Sequence, residues 1–393
     1  MLSVDPIIPG IAAIAADFVD VRRRIHEHPE LAFDETQTSD LVAGLLAEWG
    51  YEVHRGLGKT GVVGVLKQGD GTKRIGLRAD MDALPIEETT GLPYASKTAR
   101  VMHACGHDGH TAMLLCAARH LASSGQFSGT LNVIFQPAEE GEAGARAMIE
   151  DGLFERFPCD AVFGLHNMPG LPAGEMFFTP GPAMASSDRV SIVVRGVGGH
   201  GAMPHAARDP MSAVASIILG LNSIVAREVN AQKPAVVTVG SVQAGEANNV
   251  IPETALMKLS VRTLDAAVRM QLKERISALA HAQASAFGCT AEIDYELGYP
   301  VLVNHAEPTA FATQVATNML GAQRVDPAAA PLMGSEDFAF MLEARPGCYA
   351  FIGNGIGSKG GCMVHNPGYD FNDDILAIGA SYWVRIAEAW LAA

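Results

Sequence analysis

Residues 74–82, with the sequence RIGLRADMD, form a short apolar run that ends in two carboxylates. The run over 74–79 predicts a strand, and strand-like runs at 131–135 and 161–165 alternate with segments of helical periodicity. This alternation predicts an α/β layer with largely parallel strands. Because ligand sites in open α/β sheets assemble at the carboxyl ends of the strands, the residues that follow these runs are the first candidates for a site.

Polar side chains follow all three runs. One acidic pair behind a strand is usually part of a solvated loop, whereas three such placements together favour a functional site. The residues concerned are Asp80 and Asp82, Glu139 and Glu140, and His166.

A second domain is predicted between residues 185 and 295. Two helices begin there at the capping residues Asp209 and Asp265, between strand-like runs at 190–195, 235–242, 255–262 and 291–295. The order β-α-β-β-α-β is that of the ferredoxin-like split motif. Since 393 residues exceed the usual size of a single core, we expect 1–184 and 296–393 to form one domain that carries 185–295 as an insertion.

Composition excludes several classes of protein. Apolar residues make up 48% and charged residues 18% of the chain, which argues against disorder. The net charge is −15 and no basic block occurs, so the electrostatic signature of a binder of nucleic acids or membrane surfaces is missing. We expect no signal peptide and no membrane span, and six scattered cysteines do not form a disulfide framework. The sequence therefore predicts a cytoplasmic protein.

The densest group of metal-ligating residue types lies at 102–110, with the sequence MHACGHDGH. Thiolate and imidazole are ligands that borderline-soft divalent metals prefer. Cys105 and His107 are separated by one glycine and can turn towards one point, while His103 and His110 are weaker candidates. A buried thiol with capping histidines at the start of a helix explains the same residues, and both interpretations stay open at this point.

Residues 136–141, with the sequence QPAEEG, place two carboxylates side by side. Pro137 keeps this stretch out of a helix, and adjacent side chains of an extended backbone point to different sides. One glutamate can therefore hold a metal ion while the other takes a proton from water, which is the division of labour in metal-assisted hydrolysis. The alternative, a surface pair of glutamates, fits poorly with the apolar run just before it.

Together these motifs resemble the M-twenty metallopeptidase family. The similarity is greatest to its amidohydrolase branch of hippurate hydrolases, bacterial N-acyl-amino-acid amidohydrolases and plant indole-acetyl-amino-acid hydrolases. It covers essentially the whole chain, in the right order. The stretches that carry it are 22–30 (RRRIHEHPE), 78–85 (RADMDALP), 102–110, 136–141, 164–166 (GLH), 198–205 (GGHGAMPH), 248–252 (NNVIP) and 334–337 (GSED).

The resemblance implies a centre of two divalent metal ions. Where the carboxypeptidase branch has a histidine this chain has Asp80, and Cys105 takes the place of a bridging aspartate, as in the amidohydrolase branch. The implied ions are zinc or manganese, for which cobalt or nickel can substitute. The implied roles are Cys105 as the bridge, His107, Glu140, His166 and His365 as further ligands, Glu139 as general base, and Asp82 as the residue that orients a ligand.

The resemblance also makes the inserted domain a lid that dimerises through an edge strand and a helix. It implies a homodimer, with a tetramer as the alternative. His200 would polarise the scissile carbonyl from the neighbouring subunit, and Asn249 and Arg262 would hold the carboxylate of the substrate. For Arg262, a surface ion pair at the end of a strand is the alternative.

The predicted activity is hydrolysis of the amide bond of N-acyl amino acids, which releases a carboxylic acid and a free amino acid. The acyl group stays open among acetyl, benzoyl, indole-acetyl, longer chains and aminobenzoyl-glutamate. One alternative is a dipeptidase or carboxypeptidase that acts on unblocked peptides. The other is a non-catalytic, metal-dependent binding protein, which would have no need of Glu139.

Overall fold

The computed structural model describes residues 6–392, which contain sixteen strands and eleven α-helices. The strands are β1 (Glu52–Leu57), β2 (Gly61–Gln68), β3 (Arg74–Asp80), β4 (Gly129–Gln136), β5 (Ala161–Pro169), β6 (Met176–Phe178), β7 (Gly181–Met184), β8 (Ser186–Arg195), β9 (Gly199–His200), β10 (Ala235–Ala244), β11 (Val250–Ile251), β12 (Thr254–Thr263), β13 (Thr290–Tyr299), β14 (Leu302–Asn304), β15 (Val325–Asp326) and β16 (Gly347–Gly355). The helices are α1 (Pro9–Ala12), α2 (Ala15–Glu27), α3 (Thr36–Glu48), α4 (His107–Ser124), α5 (Gly144–Glu150), α6 (Leu153–Arg156), α7 (Pro210–Arg227), α8 (Ala266–Ala286), α9 (Ala306–Leu320), α10 (Phe338–Ala344) and α11 (Leu376–Trp390).

The chain divides into two compact units. Of the described residues, the first unit comprises 6–181, Val303–Ala330 and 337–392. The second comprises Pro182–Leu302 and Pro331–Glu336. The second unit therefore interrupts the first in sequence.

The first unit is built on an eight-stranded sheet with the order β1-β2-β4-β3-β5-β16-β6-β15. Its central strands β4, β3, β5 and β16 are parallel to one another. Antiparallel pairings occur towards the edges, where β2 pairs with β4, β1 with β2, and β6 with β16. The prediction of an α/β fold with a mostly parallel sheet is confirmed, whereas the strands β1, β6 and β15 were not predicted.

Helix α4 is deeply buried in this unit. Its residues 112–118 are all fully inaccessible to solvent. A helix that is apolar on every side belongs in a core, and burying each large aliphatic side chain contributes about 1.5–3 kcal/mol. The sequence predicted its start at Thr111, but the helix begins at His107. Gly106 has φ +93°, a left-handed conformation that turns the chain directly into the helix.

The second unit has the ferredoxin-like topology. Its antiparallel sheet has the order β10-β12-β8-β13, and α7 and α8 are the two crossover helices. Both predicted caps are present: Asp209 accepts a hydrogen bond from the Met211 N–H, and Asp265 accepts from the N–H groups of Ala267 and Val268. The predicted β-α-β-β-α-β insertion is confirmed.

Helix α7 is the only helix within residues 6–392 that is long and apolar enough, by length and composition, to cross a membrane. Apolar residues on one of its faces, among them Val214, Ile217, Leu221 and Ile224, pack in the core of the second unit. This packing accounts for much of its apolar composition.

Candidate metal centre

His107, the first residue of α4, has one ring nitrogen in a hydrogen bond and the other without a hydrogen bond, 3.8 Å from Oδ2 of Asp80. Its Nδ1 lies 3.2 Å from Oδ1 of Asp82, so this carboxylate fixes the orientation of the ring. Its Nε2 is buried and makes no hydrogen bond. A buried ring nitrogen without a hydrogen bond is unfavourable unless a ligand such as a metal ion satisfies it, so the site fits the implied ions.

Asp82 also fixes a second part of the site. Its Oδ2 accepts a hydrogen bond of 2.8 Å from the backbone N–H of Glu140. One buried carboxylate therefore holds both the His107 ring and the turn that carries Glu140. This geometry agrees with the orienting role expected of Asp82.

Glu139 and Glu140 lie on a tight turn, so the expectation of an extended backbone is wrong. Ala138 has φ +54°, and the Gly141 N–H donates to the Glu139 carbonyl at 2.7 Å. The turn lies in the seven-residue segment 137–143 that connects β4 to α5. Glu139 is buried and the Glu140 side chain is 14% exposed, so the pair is not a surface pair.

His166 lies inside β5, whereas the sequence placed it behind the strand. The strand continues to Pro169 because β16 pairs with it along its whole length, with Phe351 opposite His166. Nε2 of His166 lies 3.4 Å from Sγ of Cys105. Its Nδ1 lies 2.5 Å from the Asn167 carbonyl oxygen, which fixes Nδ1 as the donor and leaves the lone pair of Nε2 able to bind a metal ion.

His365 belongs to the segment that follows β16 in sequence, and it lies next to Cys105 and Glu140. Its backbone N–H donates to the Ala104 carbonyl at 2.7 Å, next to Cys105. Its Nε2 lies 3.0 Å from Oε1 of Glu140, and the side chain is half exposed. Hydrogen bonds to Cys105 and Glu140 raise the pKa of His365 to about 10.

Two sets of three potential ligands share Cys105. In each set, the donor atoms lie within 4.8 Å of one another. The sets are Cys105 with His107 and His166, and Cys105 with Glu140 and His365. A thiolate common to two sets is what a bridging ligand between two ions requires, and imidazole and carboxylate complete a donor set suited to zinc.

Glu139 belongs to two further sets, one with His107 and Glu140 and one with Glu336 and Asp337. It therefore lies beside the two ligand sets but is not a member of either. A buried carboxylate at this place is positioned to act on a water molecule that approaches the ions.

The electrostatics of the pocket reflect burial and the close charges. Burial raises the pKa of the Cys105 thiol, and the negative charge of Glu140 adds to this shift. Burial acts to lower the pKa of His107, but Asp80 and Cys105 outweigh it, so the pKa is raised well above its ordinary value. Burial lowers the pKa of His166, and His110 adds to that effect. Divalent cations would stabilise the thiolate and the neutral imidazoles that act as ligands.

His110 is not available as a ligand. Its Nδ1 lies 2.6 Å from Oδ1 of Asp80, and its Nε2 accepts a 3.0 Å hydrogen bond from the Asn167 N–H. The other carboxylate oxygen of Asp80 accepts from the buried guanidinium of Arg78 at 2.6 Å. His110 therefore supports the site from within α4 and lies outside the two ligand sets that share Cys105.

Sequence reasoning missed a buried charge network behind the ligands. Arg22 and Asp108 are both fully buried, with Nε and Oδ2 2.8 Å apart, and Nδ1 of His26 lies 2.8 Å from the same oxygen. Asp108 follows His107 directly, so this network holds the first turn of α4. The available signal was Arg22 itself, which lies at helical spacing between the core residues Phe18 and Ile25.

In the second unit, His200 and Asn249 are neighbours and Arg262 is distant from them. β9 and β11 pair with His200 opposite Val250, and the Gly201 N–H donates to the Asn249 carbonyl at 2.7 Å. Arg262 lies near the other end of β12 and donates to the Met333 carbonyl at 3.0 Å. Eight residues of strand at about 3.3 Å each separate Thr254 from Arg262, roughly 26 Å.

The profile of peptidase family M20/M25/M40 matches residues 76–389. The chain belongs to this family. A family member from Campylobacter jejuni, described as a hippurate hydrolase, is 49% identical over 385 residues, which cover 98% of this chain and 99% of that protein. An N-acetyl-L-cysteine deacetylase from Bacillus subtilis is 39% identical over 376 residues, which cover 95% of this chain and 88% of that protein.

A solved structure gives the same family result. A dinuclear metal-binding peptidase of the M20 family from Bacillus subtilis superposes with a TM-score of 0.82, at 35% identity, over 97% of this chain and 99% of that one. The predictions of the amidohydrolase branch, of the fold and of two divalent metal ions are confirmed. The roles of the individual residues stay predictions.

Proposed function

We propose that this chain is a metallo-amidohydrolase that cleaves N-acyl amino acids into a carboxylic acid and a free amino acid, with N-benzoylglycine (hippurate) as a substrate. The observation that carries the proposal is the pair of ligand sets that share Cys105, with the buried Glu139 beside them. The general activity is supported by the relatives described above, which act on small N-acyl amino acids. The benzoyl group is inferred from one of them.

The residues divide the reaction between them. When bound, the two divalent ions polarise the scissile carbonyl and lower the pKa of the attacking water. Cys105, His107, Glu140, His166 and His365 hold them, and zinc suits this donor set, with manganese as the alternative. Glu139 takes the proton of the attacking water and passes it to the leaving amine. Asp82 keeps the His107 ring and the Glu140 backbone in place.

A panel of amides tests the substrate class. The purified protein, loaded with zinc or manganese, is expected to release amine from N-benzoylglycine and N-acetylated amino acids. It should be far less active on unblocked dipeptides of the same residues, since the proposed bond is that of an N-acyl group. Preferential turnover of the unblocked dipeptides would instead identify a dipeptidase. Tight binding of N-acyl amino acids without any release of amine would identify a binding protein.

The second unit acts, in our proposal, as a lid that forms a homodimer in the cytoplasm. β10 is an edge strand, and it presents Val236 and Val242 with about two fifths of each exposed. Leu219 of the adjoining helix α7 is 75% exposed. An edge strand and exposed apolar side chains are features that association of two subunits would cover.

The distance between Asn249 and Arg262 within one chain supports an active site to which two subunits contribute. A small N-acyl amino acid cannot contact Asn249 and Arg262 of the same chain, because roughly 26 Å of strand separates Arg262 from Thr254, the first residue of β12 after β11. Two subunits can supply them together: Arg262 from one, and His200 with Asn249 from the other. His200 would then stabilise the charge that develops on the carbonyl oxygen.

Replacing His200 with alanine is expected to lower kcat by about 10²–10³-fold, the usual effect of removing one donor to an oxyanion. The fold and both metal ions should be retained, as measured by circular dichroism and elemental analysis. His200→Ala subunits mixed with Glu139→Gln subunits under exchange conditions should recover part of the activity. Each hybrid would then pair one intact lid with one intact metal centre. Hybrids that form but stay inactive would show that His200 does not act across the interface.

A further inference from the structure

Glu35, the residue just before α3, is a fully buried carboxyl that the proposed reaction does not use. Its Oε2 accepts a hydrogen bond of 2.6 Å from the Thr60 hydroxyl. Its Oε1 accepts a hydrogen bond of 2.8 Å from the backbone N–H of Ala138. Both oxygens of Glu35 are therefore occupied, one of them by the residue that precedes Glu139.

Ala138 has a backbone conformation that needs support. Its φ of +54° is left-handed, a region that non-glycine residues seldom adopt and that is unfavourable for them. Its N–H donates to Glu35 and its carbonyl accepts from the Gly144 N–H at 2.9 Å. Since Ala138 is completely buried, no solvent is available to replace either bond.

Two buried carboxylates hold the amides on either side of Glu139. Glu35 binds the N–H of Ala138, and Asp82 binds the N–H of Glu140 at 2.8 Å. The backbone of Glu139 is thereby fixed from both flanks. Asp82 additionally orients His107, whereas Glu35 contacts no member of the ligand sets in these hydrogen bonds.

We propose that Glu35 is a positioning residue for the general base: its hydrogen bond to the Ala138 N–H keeps Ala138 left-handed and so sets the place of the Glu139 carboxylate. This inference rests on the proposed function, in which Glu139 transfers the proton. A general base must lie within hydrogen-bonding reach of the proton that it takes, and a displacement of about 1 Å caused by a remote change can lower the rate 10²-fold. We expect loss of the Glu35 bond to cause such a displacement, because it leaves the left-handed Ala138 without one of its two backbone hydrogen bonds.

The hydrogen bond, rather than the negative charge, carries this role. Burial raises the pKa of Glu35 to about 7, with a lowering effect from the Thr60 hydroxyl and a raising effect from Asp82. The carboxyl is therefore partly neutral at neutral pH, and an amide in its place introduces no new state of charge. In Glu35→Gln, the amide oxygen still accepts from Ala138, and the amide NH₂ donates to the Thr60 hydroxyl, which can also accept.

The test compares Glu35→Ala, Glu35→Gln and the matched control Thr60→Val in the full-length, metal-loaded enzyme with N-benzoylglycine. Thr60→Val removes the other hydrogen bond of the same carboxyl and leaves the bond to Ala138. Glu35→Ala should lower kcat by about 10²-fold with little change in KM and with two metal ions retained. Glu35→Gln and Thr60→Val should keep kcat close to that of the unmodified enzyme, even where Thr60→Val lowers Tm.

Glu35→Asp keeps the test decisive if the alanine variant does not fold. It retains the carboxyl group but withdraws it by one methylene, so its kcat should fall well below that of Glu35→Gln. The reverse order, with Asp active and Gln impaired, would overturn the proposal, as would full activity of Glu35→Ala. Glu139→Gln is measured in parallel: if it too stays active, then the assigned base is wrong, whereas an inactive Glu139→Gln beside an active Glu35→Ala refutes only the role of Glu35.

Discussion

Replacing Glu139 with glutamine is expected to lower kcat by about 10²–10⁴-fold, the contribution of a general base, while both metal ions stay bound. The amide has the shape of the carboxylate but cannot take a proton. Glu139 is buried and belongs to neither of the two ligand sets that share Cys105, so its loss should not release an ion. Steady-state kinetics with N-benzoylglycine and elemental analysis of the same preparation measure the two effects.

Glu140→Gln is the matched control, because it makes the same chemical change at the next residue. Glu140 shares a ligand set with Cys105 and His365, so this variant should lose metal affinity first. Added metal should then restore part of its activity, and it should not restore the activity of Glu139→Gln. The opposite pattern, with metal lost from Glu139→Gln, would exchange the roles of the two glutamates.

The second unit could be predicted from sequence because its signals are local. Asp209 and Asp265 each begin a helix by accepting hydrogen bonds from the next backbone N–H groups. Such caps involve residues two or three positions apart, and strand alternation is equally short in range. The order of the elements then sufficed to specify the topology.

The edges of the first sheet could not be predicted in this way. β6 has three residues and β15 has two, too few to show any alternation. β15 pairs with β6 in parallel, across about 150 residues of chain, so only the assembled sheet defines either strand. The extension of β5 to Pro169 has the same cause, since its pairing with β16 decides where it ends.

The candidate metal ligands could be predicted from local motifs, whereas the residues that hold them in place could not. Cys105, His107 and Glu140 lie in short motifs whose composition already indicates metal chemistry. Glu35 has no such motif, and its contact with Ala138 joins residues 103 positions apart. Arg22 pairs with Asp370 across 348 positions, and its charge gave no sign of complete burial. The partners of such residues become visible only in three dimensions.

Cys105 is the residue on which both ligand sets depend, because each set contains it and they have no other member in common. A thiolate can donate to two ions at once, whereas a ring nitrogen of a histidine has one lone pair and binds a single ion. Cys105→Ala therefore removes a ligand from both ions in a single step. We expect this variant to bind neither ion tightly and its activity to fall to background.

The control for Cys105→Ala is Cys116→Ala, which removes a fully buried thiol from the interior of α4. That change leaves a cavity the size of the sulfur atom and lowers the free energy of unfolding, but it touches no ligand set. Elemental analysis should find about two equivalents of metal in the unmodified protein and in Cys116→Ala, and far less in Cys105→Ala. If Cys105→Ala instead kept one tightly bound ion with full activity, Cys105 would not be a bridge. Retention of both ions would mean that the two ligand sets hold their ions independently, through the imidazoles and Glu140 alone.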